Sequence, residues 1–209
     1  VPLDATGQQR PLYRQSWNSA LLIGTGADYG NAVLADVGSD LYDDGSPALA
    51  HDAAGTYAAW THNLGDIGSE VRVATYDGSA WSTPLAIAGS LGWNGSVNTM
   101  TDASGRRMVI WTRADTSSLN HNSDLDTLQA ARAANEVMYS VFDGSSWSAP
   151  AVLAATAGQD GGITLSKDAA GKVIAGWIST DSAGIQHLLS ASWNGSTWSQ
   201  VSSPTSGSL

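Results

Sequence analysis

The chain contains no cysteine, so disulfides neither brace it nor locate it, and its stability must come from packing alone. Lysine occurs only at Lys167 and Lys172, and Asp plus Glu outnumber Lys plus Arg by 19 to 9, for a formal charge of −10. Such a surface repels polyphosphate, which argues against nucleic acid and anionic membrane as partners. No apolar run approaches the roughly 20 residues that span a bilayer, so membrane insertion is not expected. The sequence begins Val1-Pro2 without methionine and shows no signal-peptide pattern, which reads as a mature or excised piece. Phenylalanine occurs once. Against these shortages stand 23 glycines and 9 tryptophans within 209 residues, a composition for short strands and tight turns. The reading is an all-β protein, secreted or at the cell surface.

Three segments superimpose. They open with SPALAHDAAGTYAAWTH, SVNTMTDASGRRMVIWTR and GITLSKDAAGKVIAGWIS, and close with EVRVATYDGSAWSTPLAIAG, EVMYSVFDGSSWSAPAVLAA and HLLSASWNGSTWSQVSS. Trp60, Trp111 and Trp177 are spaced 51 and 66, whereas Gly78, Gly144 and Gly195 are spaced 66 and 51. Trp60 to Glu70 and Trp177 to His187 are each 10 residues, but Trp111 to Glu136 is 25. One insert of 15 residues in the second copy reconciles every spacing.

Each copy reads as four strands. The first, at 47–50 in the first copy, ends at an Asp-x-x-Gly turn, Asp52 to Gly55, repeated from Asp102 and from Asp168. The second ends on the repeated tryptophan. The third alternates and turns at Asp77-Gly78, Asp143-Gly144 or Asn194-Gly195, strong hairpin signals. The fourth opens at Trp81, Trp147 or Trp198, and 16–23 matches it, so the chain begins inside an earlier unit. A single four-stranded sheet cannot bury both faces, while sheets stacked radially can, which predicts a β-propeller of four-stranded antiparallel blades. A β-sandwich is the rival, but it leaves the four-strand period unexplained. The expected units are a partial blade and acidic link at 1–45, then blades at 46–92, 93–158 and 159–209. About three full blades plus a partial one fall short of the about four to eight that close a ring. Self-association or a longer parent chain is therefore expected, with strands from 27–44 and 202–209 closing a four-bladed ring as the alternative.

The Gly-Ser-Ala-Trp81, Gly-Ser-Ser-Trp147 and Gly-Ser-Thr-Trp198 turns resemble the Gly-x-Thr-Trp half of the Asp-box motif of bacterial sialidase-type propeller repeats. They depart from it in placing Asp or Asn directly before the glycine. The resemblance covers residues 46 to 200. It implies that Asp77, Asp143 and Asn194 are structural, and that ligands lie at the channel mouth, on the face opposite these turns. That face collects the ligand-binding candidates His62, Asp66, Glu70, Trp93, Arg113, Glu136 and His187. A sialidase needs an arginine triad, a tyrosine–glutamate pair and an acid aspartate. Of the seven arginines only Arg113 and Arg72 fall near the mouth, and no such set assembles. Glu70 and Glu136 stand at equivalent positions, a possible carboxylate pair for glycoside hydrolysis, though solvated strand-end glutamates are the commoner case.

The insert, 117–135, is the most individual feature. Asn120, Asn122, Asp124 and Asp126 alternate oxygen ligands faintly like a Ca2+ loop, but Leu125 replaces the required glycine and Ala131 the terminal glutamate. The rival reading is a helix at 127–134 capped by Asp126. Functionally the sequence reads as a non-catalytic binding or scaffold module, with carbohydrate as the candidate ligand. A fragment of a carbohydrate-active enzyme, glycosidase or polysaccharide lyase, is the alternative, and a plain spacer is the third.

Overall fold

A computed structural model describes residues 44–65, 68–120 and 122–203. The segment 16–23, most of the acidic link, and Asp66 lie outside the described residues. The strands are β1 (Asp44–Asp52), β2 (Gly55–Asn63), β3 (Ser69–Tyr76), β4 (Leu85–Ala86), β5 (Trp93–Thr101), β6 (Arg107–Ala114), β7 (Glu136–Val141), β8 (Ala151–Ala154), β9 (Gln159–Lys167), β10 (Val173–Thr180) and β11 (Gln186–Ser192). A helix, α1 (Leu125–Ala133), stands between β6 and β7. The strands form antiparallel meanders of four, four and three strands: β1–β2–β3–β4, β5–β6–β7–β8 and β9–β10–β11. In the third sheet the fourth strand is represented, among the described residues, by one bridge, Ser202 to Ser190.

The repeated turns explain why the strands stop where they do. Asp52, Asp102 and Asp168 each accept a hydrogen bond from the backbone N–H two residues on, at 2.8, 2.8 and 2.9 Å. Asp77 accepts from the N–H groups of Ser79 and Ala80, Asp143 from Ser145 and Ser146, and Asn194 from Ser196 and Thr197. These donors stabilise the charged form, so Asp77 and Asp143 are held down at about 2 although fully exposed.

Strand 4 begins later than the sequence suggests. Trp81, Trp147 and Trp198 instead bridge back to Tyr76, Phe142 and Trp193 across the turn, with ring centroids 5.4 Å apart in each copy. Beyond them the hydroxyls of Ser82, Ser148 and Ser199 accept from the N–H groups of Thr75, Val141 and Ser192. A side chain thus stands in for the ladder carbonyl, and regular pairing resumes only at Leu85 and Ala151.

Trp60, Trp111 and Trp177 occupy equivalent places on β2, β6 and β10, exposed by 1, 0 and 1 %. The Trp111 and Trp177 indoles face the sheet that precedes their own. Trp111 packs with Ala59, Val71, Val73 and Ile87 of the first sheet, and Trp177 with Met108, Ile110 and Val137 of the second. Trp60 lies with Ala58, Ala74 and Trp81 on the face turned away from the second sheet. The core is therefore two apolar layers between three sheets. At the rim of the repeated turns, the Arg107 guanidinium of the second sheet spans the first joint. It donates to Asp52 at 2.6 and 3.1 Å and to Thr75 Oγ1 at 2.9 Å, and it lies over the Tyr57 ring. At the second joint Trp193 Nε1 donates to Asp102 at 3.1 Å.

Candidate functional site

The opposite rim is built by a device repeated in every sheet. The first strand carries a bulge at Asp44-Gly45-Ser46, Asn94-Gly95-Ser96 and Asp160-Gly161-Gly162, where the register slips by one residue. The third residue of each triplet sits in left-handed backbone, with φ of 49°, 49° and 61°. In the first sheet the bulge turns the Asp44 side chain towards the strand carrying the buried tryptophan. Trp60 Nε1 donates to Asp44 Oδ1 at 3.2 Å, and His62 Nδ1 lies 2.8 Å from the same oxygen. In the second and third sheets Trp111 Nε1, Asn94 Oδ1, Trp177 Nε1 and Asp160 Oδ2 are buried without a completed hydrogen bond.

Asp160 is 4 % exposed, and burial raises its carboxyl above the ordinary range despite Thr156, Ser179 and Trp177, which favour the charged form. The folded state therefore binds this proton more tightly than the unfolded chain does. Stability falls as pH rises through the window between the ordinary and the raised value, and the penalty persists at neutral pH. Asp160→Asn, which copies Asn94 of the second sheet, is expected to leave the melting temperature at pH 7 unchanged or higher. Thermal unfolding of the two proteins checks this, and a drop of several degrees would contradict it.

Between the first two sheets this rim opens into a cleft of about 580 Å³, lined by Asp44, Asn63, Ser69, Trp93, Asn94, Thr112 and Arg132 among others. Its wall is a close backbone approach: Ser69 N donates to Gly92 O at 2.7 Å, and Gly92 N returns a bond to Ser69 O at 3.1 Å. A Cβ on Gly68 would stand 2.6 Å from Gly92 O, at φ +112°, so only glycine fits there. Asn94 Nδ2 ties the wall down by donating to Ser69 O at 2.6 Å and Ser90 O at 2.8 Å. Trp93 is half-buried, and the Arg132 guanidinium of α1 lies 5.0 Å from its ring centroid.

Of the residues singled out from sequence, Trp93 lines this cleft. His62 lies beneath it, 4 % exposed and held by Asp44. Glu70 accepts from Arg72 Nε at 2.8 Å, Arg113 donates to Gly89 O at 3.0 Å, and Glu136 stands opposite Arg113 in the β6–β7 register. His187 belongs to the third sheet, where it pairs with Asp181 at 2.9 Å. Arg132 and Ser69 were not legible as site residues: nothing in the spacing shows that α1 leans its last turn over Trp93.

The insert does form a helix, but Asp124, not Asp126, is its N-cap. Asp124 is extended and accepts from Thr127 N at 2.8 Å, while Asp126 lies inside the first turn, where a carboxylate suits the helix dipole. Asn120 Oδ1 accepts from Asn122 N at 2.9 Å. Among the described residues no group of three His, Cys, Asp or Glu side chains is placed to hold a metal ion.

No protein-family model and no curated protein matches the chain. Solved structures do. The Hadza microbial sialidase aligns at 14 % identity over 74 % of this chain and 36 % of its own, with a TM-score of 0.52. A xylan β-1,4-xylosidase from Bacillus halodurans aligns at 14 % identity over 84 % and 33 %, TM-score 0.53. A Dyadobacter fermentans protein of unknown function aligns at 13 % over 76 % and 54 %, TM-score 0.52. The fold is that of stacked propeller blades. The chain spans about a third to a half of the length of these proteins, and likeness at such identity concerns the fold alone.

Proposed function

We propose that this chain is a non-catalytic, extracellular segment of a carbohydrate-binding propeller, and that a neutral glycan lies in the cleft at Trp93. One observation carries the reading: a half-buried indole faces a cleft whose other polar side chains are amides, hydroxyls, one guanidinium and one carboxylate, Asp44, that is already engaged. The apolar face of a sugar ring stacks on indole while its hydroxyls need fixed donors and acceptors, and the side chains of Asn63 and Thr112 line the cleft beside it, on a wall that Ser69 and Asn94 hold rigid. The cleft's carboxylate, Asp44, already accepts from Trp60 and lies against His62. Hydrolysis of a glycoside uses two carboxylates roughly 5–9.5 Å apart. Glu70 is engaged by Arg72, and this favours binding over turnover.

The fold likeness to a sialidase and a xylosidase supports the alternative, a fragment of a carbohydrate-active enzyme. A glycan array with and without Ca2+, read for both binding and product, separates these. The expected result is retained neutral oligosaccharide with no product. Trp93→Ala should then weaken binding by about 2 kcal/mol, roughly 30-fold in Kd. Equal binding by the variant would sink the cleft assignment, and released sugar would favour the enzyme. Binding that needs Ca2+ would return attention to Asn120, Asn122, Asp124 and Asp126.

A further inference from the structure

The insert that sets the second copy apart delivers one side chain to the cleft. The equivalent connections in the first and third sheets run only from Asn63 to Ser69 and from Thr180 to Gln186, whereas the second carries α1. No residue of α1 is buried. Asn135, just past its end, is the anchor: its side-chain amide donates to Asp160 O at 2.8 Å and accepts from Asp160 N at 2.7 Å. From this anchored end Arg132 reaches over Trp93, its guanidinium carbon 5.0 Å from the ring centroid. The other arginines among the described residues are tied by hydrogen bonds: Arg72 to Glu70, Arg106 to Asp102, Arg107 to Asp52 and Arg113 to Gly89 O. Arg132 is exposed and, among the described residues, makes no ion pair and no hydrogen bond. The indole is what holds it.

A sugar ring stacking on Trp93 needs a face of that indole. A guanidinium is planar and weakly hydrated, so it competes for an aromatic face on similar terms. We infer that Arg132 is a gate on the cleft: in the ligand-free chain it covers the indole face that a sugar ring takes, and it swings off when the ring stacks. This rests on the glycan reading of the cleft. A neutral ring offers the guanidinium no carboxylate to pair with, so the two exclude each other instead of clamping together. At an exposed site a cation over indole favours the closed arrangement by only about two- to fivefold. A cleft open in the remaining share of molecules binds less tightly than a permanently open one by that same factor. The helix need not leave its sheet, because rotation about the Arg132 side-chain bonds clears the ring while Asn135 stays bound.

Nuclear magnetic resonance and titration calorimetry, with the neutral oligosaccharide that the array selects, test the gate. In the ligand-free chain the indole ring current should move the Arg132 side-chain protons upfield. Saturation with the oligosaccharide should return them to their positions in Trp93→Ala. Arg132→Ala should bind the same oligosaccharide about two- to fivefold more tightly. Alanine suits an exposed helical turn, so this variant keeps its fold. Lys172→Ala removes the same charge at the rim of the repeated turns and should leave the affinity unchanged. Arg132 protons with no ring-current shift in the ligand-free chain would overturn the gate and leave the glycan reading standing. Equal or weaker binding by Arg132→Ala would also overturn it, and weaker binding would make Arg132 a contact of the glycan. A chain that binds no oligosaccharide, with or without Arg132, would remove the cleft reading and the gate with it.

Discussion

Trp111→Ala is expected to cost about 3–5 kcal/mol, the range for emptying a fully buried aromatic site. The residue is 0 % exposed and belongs to the layer that joins the first two sheets, where Ala59, Val71, Val73, Val97 and Met138 would line the cavity. Since small domains hold together by about 5–15 kcal/mol, such a loss removes a large share of the total. Urea unfolding followed by tryptophan fluorescence measures it. Trp111→Phe is the control: it keeps most of the apolar volume and should cost clearly less. Its indole Nε1 completes no hydrogen bond, so what the phenylalanine variant loses is packing. A midpoint for Trp111→Ala within experimental error of the wild type would mean that the two sheets do not share this core.

Arg107→Ala should be comparably severe, about 3–5 kcal/mol, because it strands the carboxylate of Asp52 in a largely buried site. The Arg107 and Asp52 side chains are 11 and 9 % exposed, and the guanidinium also gives up Thr75 and its place over the Tyr57 ring. Removing both partners as Asp52→Asn with Arg107→Met should cost less than the single loss of Arg107, a coupling that a double-mutant cycle reads directly. The pair also sets a pH dependence. The hydrogen bond from Arg107 holds the Asp52 carboxyl below its ordinary 3.8, against the upward push of burial. A carboxyl depressed in the folded state contributes stability that is fully present above its unfolded value and is lost as pH falls through the folded one. The wild-type chain should therefore lose stability below about pH 4, and the double variant should lose less there.

The repeat was legible because its markers are backbone-dictating residues at fixed spacing. The Asp-x-x-Gly and Asp-Gly turns fixed where the strands reverse, and tryptophan at one position per copy identified the buried strand. The bulge triplets are equally regular in the sequence, eight residues before each turn aspartate, but regularity alone does not mark them as bulges. Asp-Gly and Asn-Gly read as turns, and only the paired strand shows that here they widen a ladder. The late start of the fourth strand was hidden for a related reason: a serine hydroxyl replacing a carbonyl leaves no mark on hydrophobic periodicity. His62 stands near the rim of the bulges, but strand alternation does not say how deep such a residue sinks. Arg132 reaches Trp93 through the pose of α1 on its sheet, which depends on tertiary packing rather than on any local pattern.

The most direct measurement of the central claim is a titration of 15N-labelled chain with a neutral oligosaccharide selected on the array, followed at the indole N–H signals of the 9 tryptophans. The Trp93 signal is expected to move and saturate. The signals of Trp60, Trp111 and Trp177 should stay in place and exchange slowly with solvent, as befits indoles sealed between sheets. A glycan that shifts other indoles while Trp93 stays fixed would contradict the account, and so would fast solvent exchange at any of the three buried positions.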